Sequence, residues 1–128
     1  MITEITQGVK VTVETSYQDK YSNPIANEFM FAYRITIENE SLYTVKLLRR
    51  HWYIFDSNGD YREVEGEGVV GIQPTLMPGE YHDYVSGCNL SSEIGRMFGS
   101  YTFERVEDGK IIEVNIPEFS LLAPQKLN

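Results

Sequence analysis

Apolar residues recur at every second position along most of this chain, and that period decides what it can fold into. In "VKVTVETSY", Val9, Val11, Val13, Thr15 and Tyr17 fall on one face, while Lys10, Thr12, Glu14 and Ser16 fall on the other. Successive side chains of an extended strand point to opposite faces, so this alternation describes a strand buried on one side. "FMFAYRITIEN" repeats the pattern with Phe29, Phe31, Tyr33, Ile35 and Ile37, the apolar face expected of a central strand. In "YTVKLLRRHWYIFD", Val45 and Leu47 hold one phase, and Leu48, Trp52 and Ile54 hold the other. That shift predicts a β-bulge or a change of sheet partner. Trp52, the only tryptophan, is the natural core anchor.

Turn chemistry punctuates these runs. Asp56-Ser57-Asn58-Gly59-Asp60 and Glu107-Asp108-Gly109-Lys110 read as hairpin turns, and Pro78-Gly79 as another. "YREVE", "EYHDYVSG", "GSYTFERV" and "IIEVNI" supply further strands, the last expected to end at Pro117. "QDKYSNPIANE" reads as a loop. Helix signals are sparse: "NLSSEIGRM" allows a single turn capped by Ser91 or Ser92 and cut short by Gly95 and Gly99. The expectation is one domain over residues 1–128, with its core at about 8–121. Its fold class is all-β: an immunoglobulin/fibronectin type III-like antiparallel β-sandwich of seven to eight strands. A small barrel is the structural alternative. The tail "SLLAPQKLN" is expected to extend an edge strand and then fray.

Charge and cysteine usage narrow the function classes. The formal net charge is −8, and no Lys/Arg run offsets it, so nucleic acid and anionic membrane surfaces are not expected partners. A single cysteine, Cys88, makes no internal disulfide and fits a reducing compartment. "MITEITQGVK" has neither a cationic start nor an apolar stretch, and no apolar run approaches the ~20 residues of a membrane span. The expected location is cytoplasmic. A sheet edge could pair with its twin, so the chain is expected to be a monomer or weak homodimer.

Gly66-Glu67-Gly68-Val69-Val70-Gly71 matches the spacing G-x-G-x-x-G. In dinucleotide-binding proteins that loop leads into a helix whose N-terminus meets the pyrophosphate. Here Pro74 and Pro78 follow, and prolines deny a helix its interior hydrogen bonds. Glu63, Glu65 and Glu67 add negative charge to the same segment. The glycines are therefore read first as servants of the β architecture, marking bulges, positive φ or close backbone approach. As a ligand site the candidates are Gly66, Gly68 and Gly71, with Arg49 and Arg50 from the only basic cluster. Arg50 is the preferred contact, because a guanidinium grips phosphate oxygens bidentately.

Other constellations offer less. His51, beside those arginines, is expected to pair with carboxylates on a neighbouring strand. His82 and Asp83 are strand neighbours that face apart, and Glu80 with His82 supplies only two metal ligands. Cys88 reads as a small buried hydrophobe, with no base or electropositive pocket in sequence to make it a nucleophile. Tyr17, Phe29, Phe31, Tyr33, Trp52, Tyr101 and Phe103 lie at strand spacing and read as core.

"RHW", "SNG", "VEGEGVVGIQPTLMPGEYHDYVSGC", "GRMFGSYTF" and the closing "VNIPEFSL" resemble the ApaG (CorD) domain family over about residues 8–121. The resemblance implies a fibronectin type III-like sandwich, bacterial origin and a stand-alone domain. It implies an association with cobalt resistance and magnesium efflux, and gene neighbours that hydrolyse diadenosine tetraphosphate and methylate ribosomal RNA. Eukaryotic relatives carry the domain in an F-box protein and a polymerase-delta-interacting protein, which implies protein interaction. No reaction is established for the family, and its glycine motif is discussed as a pyrophosphate site. The functional expectation is a non-catalytic module, without a cofactor, that binds an unknown protein partner. The alternative is a binder of pyrophosphate or a nucleotide, carrying a divalent cation, at the glycine loop.

Overall fold

A computed structural model describes residues 1–124. Its strands are β1 (Ile2–Thr6), β2 (Val9–Tyr17), β3 (Phe29–Asn39), β4 (Val45–Asp56), β5 (Tyr61–Glu67), β6 (Thr75–Leu76), β7 (Tyr81–Leu90), β8 (Ile94–Arg105) and β9 (Ile111–Leu122). All the pairings are antiparallel, in two sheets ordered β1-β2-β3-β7 and β5-β4-β8-β9, with β6 also on β4. This is the expected β-sandwich, and among the described residues no ladder joins the sheets into a barrel. The strand count exceeds expectation through β1, whose weak alternation hides it, and the two-residue β6. The segment before β3 folds as two short 3-10 turns, Asp19–Tyr21 and Pro24–Ala26.

The core sits between the sheets and is built by the alternating residues. Val9, Val11 and Val13 of β2 and Phe31, Ile35 and Ile37 of β3 face Leu47, Trp52, Tyr101, Phe103 and Leu121 across it. Trp52 is 2% exposed and packs edge-on against Tyr33 and Phe119, with centroids 5.3 and 5.8 Å away. Such aromatic pairs contribute about 0.5–1.5 kcal/mol beyond the area they bury. The predicted phase shift in β4 is a bulge between Leu47 and Arg49, with Leu48 as the additional residue.

Two local expectations fail for identifiable reasons. "NLSSEIGRM" forms no helix: Asn89 and Leu90 finish β7, and Ile94 begins β8. Ser91 donates its backbone N–H to Asp56 Oδ2 (2.6 Å) and Ser92 its hydroxyl to Asp56 Oδ1, so these serines tie a turn to the β4–β5 hairpin. Pro117 does not end β9, which runs on to Leu122. The register shifts there, with Met97 opposite Phe119 and Gly99 opposite Ile116. A bulge is where a strand tolerates a residue with no N–H. The expected fraying of "SLLAPQKLN" falls partly on residues 125–128, outside the described residues; Ser120–Leu122 do belong to the edge strand β9.

The sandwich is closed unequally. On one side β1 and β2 pack against β9, and Asn115 bonds to Thr6 (3.2 Å) and Glu4 (3.0 Å). On the other, the edges β5 and β7 are spanned by Arg62, whose Nη2 donates to the Asn89 carbonyl (2.5 Å).

Candidate functional site

The glycine-rich segment is a detour along one edge of β4. β5 pairs with β4 as far as Glu67 opposite Arg49, and β6 resumes that edge at Thr75 opposite Lys46. Between them lies the Leu48 bulge. Leu48 O accepts from the Gly68 N–H (2.8 Å) and from Gln73 Nε2 (2.9 Å), and Leu47 N–H donates to Pro74 O (3.0 Å). Val69 is wholly buried and anchors the loop to the core. Val69 and Ile72 exchange backbone bonds of 2.8 and 3.2 Å around Val70 and Gly71, which have φ of 45° and 82°. No helix follows; the chain runs through Pro74 into β6.

The five residues proposed from sequence divide into two groups. Gly66, Gly68 and Arg50 come together. Arg50 shares the inward phase of Trp52, and its guanidinium lies over Gly66, where a Cβ would sit 2.7 Å from Nη2. Arg50 Nη1 donates to the carbonyls of Glu67 (3.0 Å) and Gly68 (3.1 Å). Gly68 has φ +62°, and a Cβ there would stand 2.1 Å from Ile72 O. Gly71 sits apart at the exposed turn, and Arg49 faces outward between Glu67 and Thr102. The Gly68 amide is spent on the β4 bulge, and those of Val69 and Ile72 on each other.

Arg50 leads into the open edge between β5 and β7. A cleft of about 270 Å³ there is lined by Tyr33, Arg50, Trp52, Arg62, Ser86 and Cys88, among others. Burial pushes the Tyr33 hydroxyl above its ordinary range, partly offset by a hydrogen bond with Ser86. Burial also pushes the Cys88 thiol up, against the opposing pull of Arg62, whose Nη2 lies 3.4 Å from Sγ. A thiol held protonated is a poor nucleophile.

The outer face of the second sheet carries a row of rings. His51 stacks on Tyr53 (4.5 Å), Tyr53 on Phe98 (5.2 Å) and Phe98 on Phe55 (5.7 Å), and Phe55 meets Tyr61 at 4.7 Å. Arg96 lies over Phe55 at 4.6 Å and pairs with Glu118 at 3.0 Å. As expected, His51 pairs across the strands: Nε2 is 2.8 Å from Glu63 Oε1, and Nδ1 is 3.0 Å from Glu65 Oε1. The His51 hydrogen bond, with a second from Tyr61, holds the Glu63 carboxyl below its ordinary range. Tyr61 is 48% exposed, and Tyr53, Phe55 and Phe98 are half-buried.

Sequence reasoning passed over this row and over Arg62. The signal for the row was present in "WYIF", where both phases of one strand are apolar or aromatic although only one can face the core. Arg62 carried no signal, since its role depends on where β7 lies.

Comparison with known proteins places this architecture in a family. A profile described as the ApaG domain matches residues 19–105. Protein ApaG of Brucella canis is 45% identical over 126 residues, covering 98% of this chain and 96% of that one. Protein ApaG of Sinorhizobium fredii is 44% identical over 124 residues, covering 97% and 95%. The crystal structure of an ApaA protein from Bordetella pertussis superposes with a TM-score of 0.87 at 38% identity, covering 97% of each chain. The C-terminal domain of wzt shares the fold alone, with a TM-score of 0.55 at 8% identity over 98% of this chain and 79% of that one. On the profile match and on identity over nearly the whole length, the chain belongs to the ApaG domain family.

Proposed function

We propose that this chain is a non-catalytic binding module that acts through a protein partner docked on the outer face of the β5-β4-β8-β9 sheet. The ring row His51–Tyr53–Phe98–Phe55–Tyr61 carries the reading. Rings left half-covered on a sheet face offer large apolar area at low entropic cost, and interfaces are enriched in them. By register the same face presents Glu63, Glu65, Glu67 and Glu113, with Glu118 at the rim, against Arg49 and Arg96. The carboxylates outnumber the guanidiniums, so the partner's surface is basic around an apolar centre. The association with cobalt resistance and magnesium efflux implied by the resemblance then runs through that partner. The chain itself acts in the cytoplasm as a monomer or weak homodimer. Among the described residues, no helix is long and apolar enough to cross a membrane.

The alternative, a pyrophosphate or nucleotide with a divalent cation at the glycine loop, has less support. The Gly68, Val69 and Ile72 amides are already bonded, and Arg50 Nη1 is turned onto loop carbonyls. Crosslinking pull-downs comparing the native chain with Tyr53→Ser/Phe98→Ser test the main reading. The expected result is a specific partner captured by the native chain and lost with the variant, which still unfolds cooperatively. Equal capture by both, or none by either, overturns it.

A further inference from the structure

The open edge between β5 and β7 concentrates positive charge in a molecule that is otherwise acidic. Two guanidinium groups, Arg50 and Arg62, line the cleft there, and no carboxylate does. The strand period explains this. Arg62 and Val64 share the inward phase of β5, which turns Glu63, Glu65 and Glu67 to the opposite face. Gly66, next in the inward phase, has no side chain, and its space is filled by the Arg50 guanidinium.

Both guanidiniums are held in place from one side. Arg50 is fixed by Nη1 on the Glu67 and Gly68 carbonyls, and Arg62 by Nη2 on the Asn89 carbonyl and Cys88 Sγ. Among the described residues, Arg50 Nη2 and Nε and Arg62 Nη1 and Nε donate to no protein atom. The cleft thus pairs two oriented cations with spare N–H groups, beside the hydroxyls of Ser86 and Tyr33. Preorganised forks of this kind suit a tetrahedral oxyanion. The volume, about 270 Å³, lies just below the ~300 Å³ at which pockets for drug-sized ligands begin, which favours a compact anion over a whole nucleotide.

We propose that the β5–β7 edge binds a small phosphate-class oxyanion between the guanidinium groups of Arg50 and Arg62, with Ser86 and Tyr33 as neutral hydrogen-bonding partners. The site is separate from the Val69–Ile72 turn and from the ring row on the outer face. The anion would sit beside the contact by which Arg62 spans the two edges. Salt screens the attraction of the two guanidiniums for the anion, so affinity falls as salt is raised.

Calorimetric titration of the full chain with inorganic pyrophosphate and with orthophosphate tests this, alongside amide NMR. Arg62→Gln is the main variant, because Arg62 is exposed and its loss leaves the loop intact. Arg50→Gln and Gly66→Ala, which displaces the Arg50 guanidinium, are the supporting ones. The expected result is binding that each variant weakens by about ten- to a hundredfold, the range for one charge-assisted hydrogen-bonding partner. Amide shifts are expected at Ser86–Asn89. No heat at millimolar pyrophosphate or orthophosphate overturns the proposal. So does binding that Arg62→Gln leaves unchanged, or shifts confined to Gly68–Ile72. Arg62→Gln leaves Tyr53 and Phe98 in place, so partner capture on the outer face is unaffected whichever way this test falls.

Discussion

Gly66 and Gly68 share a motif but answer different demands. At Gly68 the obstruction is backbone: φ is +62°, and a Cβ would meet Ile72 O at 2.1 Å. The left-handed conformation alone costs an alanine about 1–2 kcal/mol, and the overlap adds to it. At Gly66 the obstruction is the far end of the Arg50 side chain, which can swing aside. Urea unfolding should therefore show Gly68→Ala losing at least ~2 kcal/mol and Gly66→Ala less than ~1 kcal/mol. Equal losses would show that the loop relaxes around Gly68. Asn39 makes a parallel case for a polar side chain. It is wholly buried, yet Nδ2 donates to the carbonyls of Tyr43 (2.7 Å) and Leu76 (2.9 Å). Its Oδ1 accepts from the Ser41 N–H (3.0 Å) and hydroxyl (2.6 Å). It reads in sequence as the polar end of a strand; in the fold it pins β6 to the β3–β4 connection.

Among the elements, β4 is decisive. The bulge absorbs one extra residue, Leu48, and so keeps Trp52 and Ile54 inside and Tyr53 and Phe55 outside. The same bulge presents the carbonyl that receives Gly68 and Gln73. Deleting Leu48 removes the extra residue and leaves an unbroken period in which Leu47, Trp52 and Ile54 still face the core, so what is lost is the bulge and the carbonyl that anchors Gly68 and Gln73. The expected outcome is a cooperative fold of lower stability, with the fluorescence of the sole tryptophan still that of a buried indole. Emission of an exposed indole from the deletion variant would mean that the bulge itself holds the register of β4. The period and its shift were both legible in "YTVKLLRRHWYIFD". The consequence for the glycine loop was not, because a bulge has no sequence signature naming the strand it receives.

For the whole molecule, acid is the informative perturbation. Asp83 is held below its ordinary range by its hydrogen bond to Arg34 across β3 and β7, and Glu63 by that to His51. Backbone N–H groups do the same for Glu107, through Thr44, and for Asp108, through Lys110. A carboxyl with a depressed folded value binds fewer protons folded than unfolded. The stability it supplies is complete above the unfolded value and disappears as pH falls through the folded one. The urea midpoint should thus decline as pH drops below about 4, the ordinary carboxylate range, and Asp83→Asn should flatten that decline. A midpoint independent of pH down to about 2 would remove these pairs from any account of stability.

The sequence by itself determined every strand but β1 and β6, the hairpin turns, the buried phase of the strands it marked and the membership of the β-sandwich class. Those follow from a period of two, turn residues and local sterics, all of which act within a few positions of the chain. Only the tertiary structure decided which edges stand side by side. That choice places Arg62 of β5 against Asn89 of β7, turns the Arg50 guanidinium over Gly66, and stacks rings from β4, β5 and β8 into one row. It also decided that the glycine-rich segment is a sheet-edge detour tied to the β4 bulge through the Gly68 amide. The reason is that the packing of two sheets is set by the sum of many nonlocal contacts, to which no short motif holds the key.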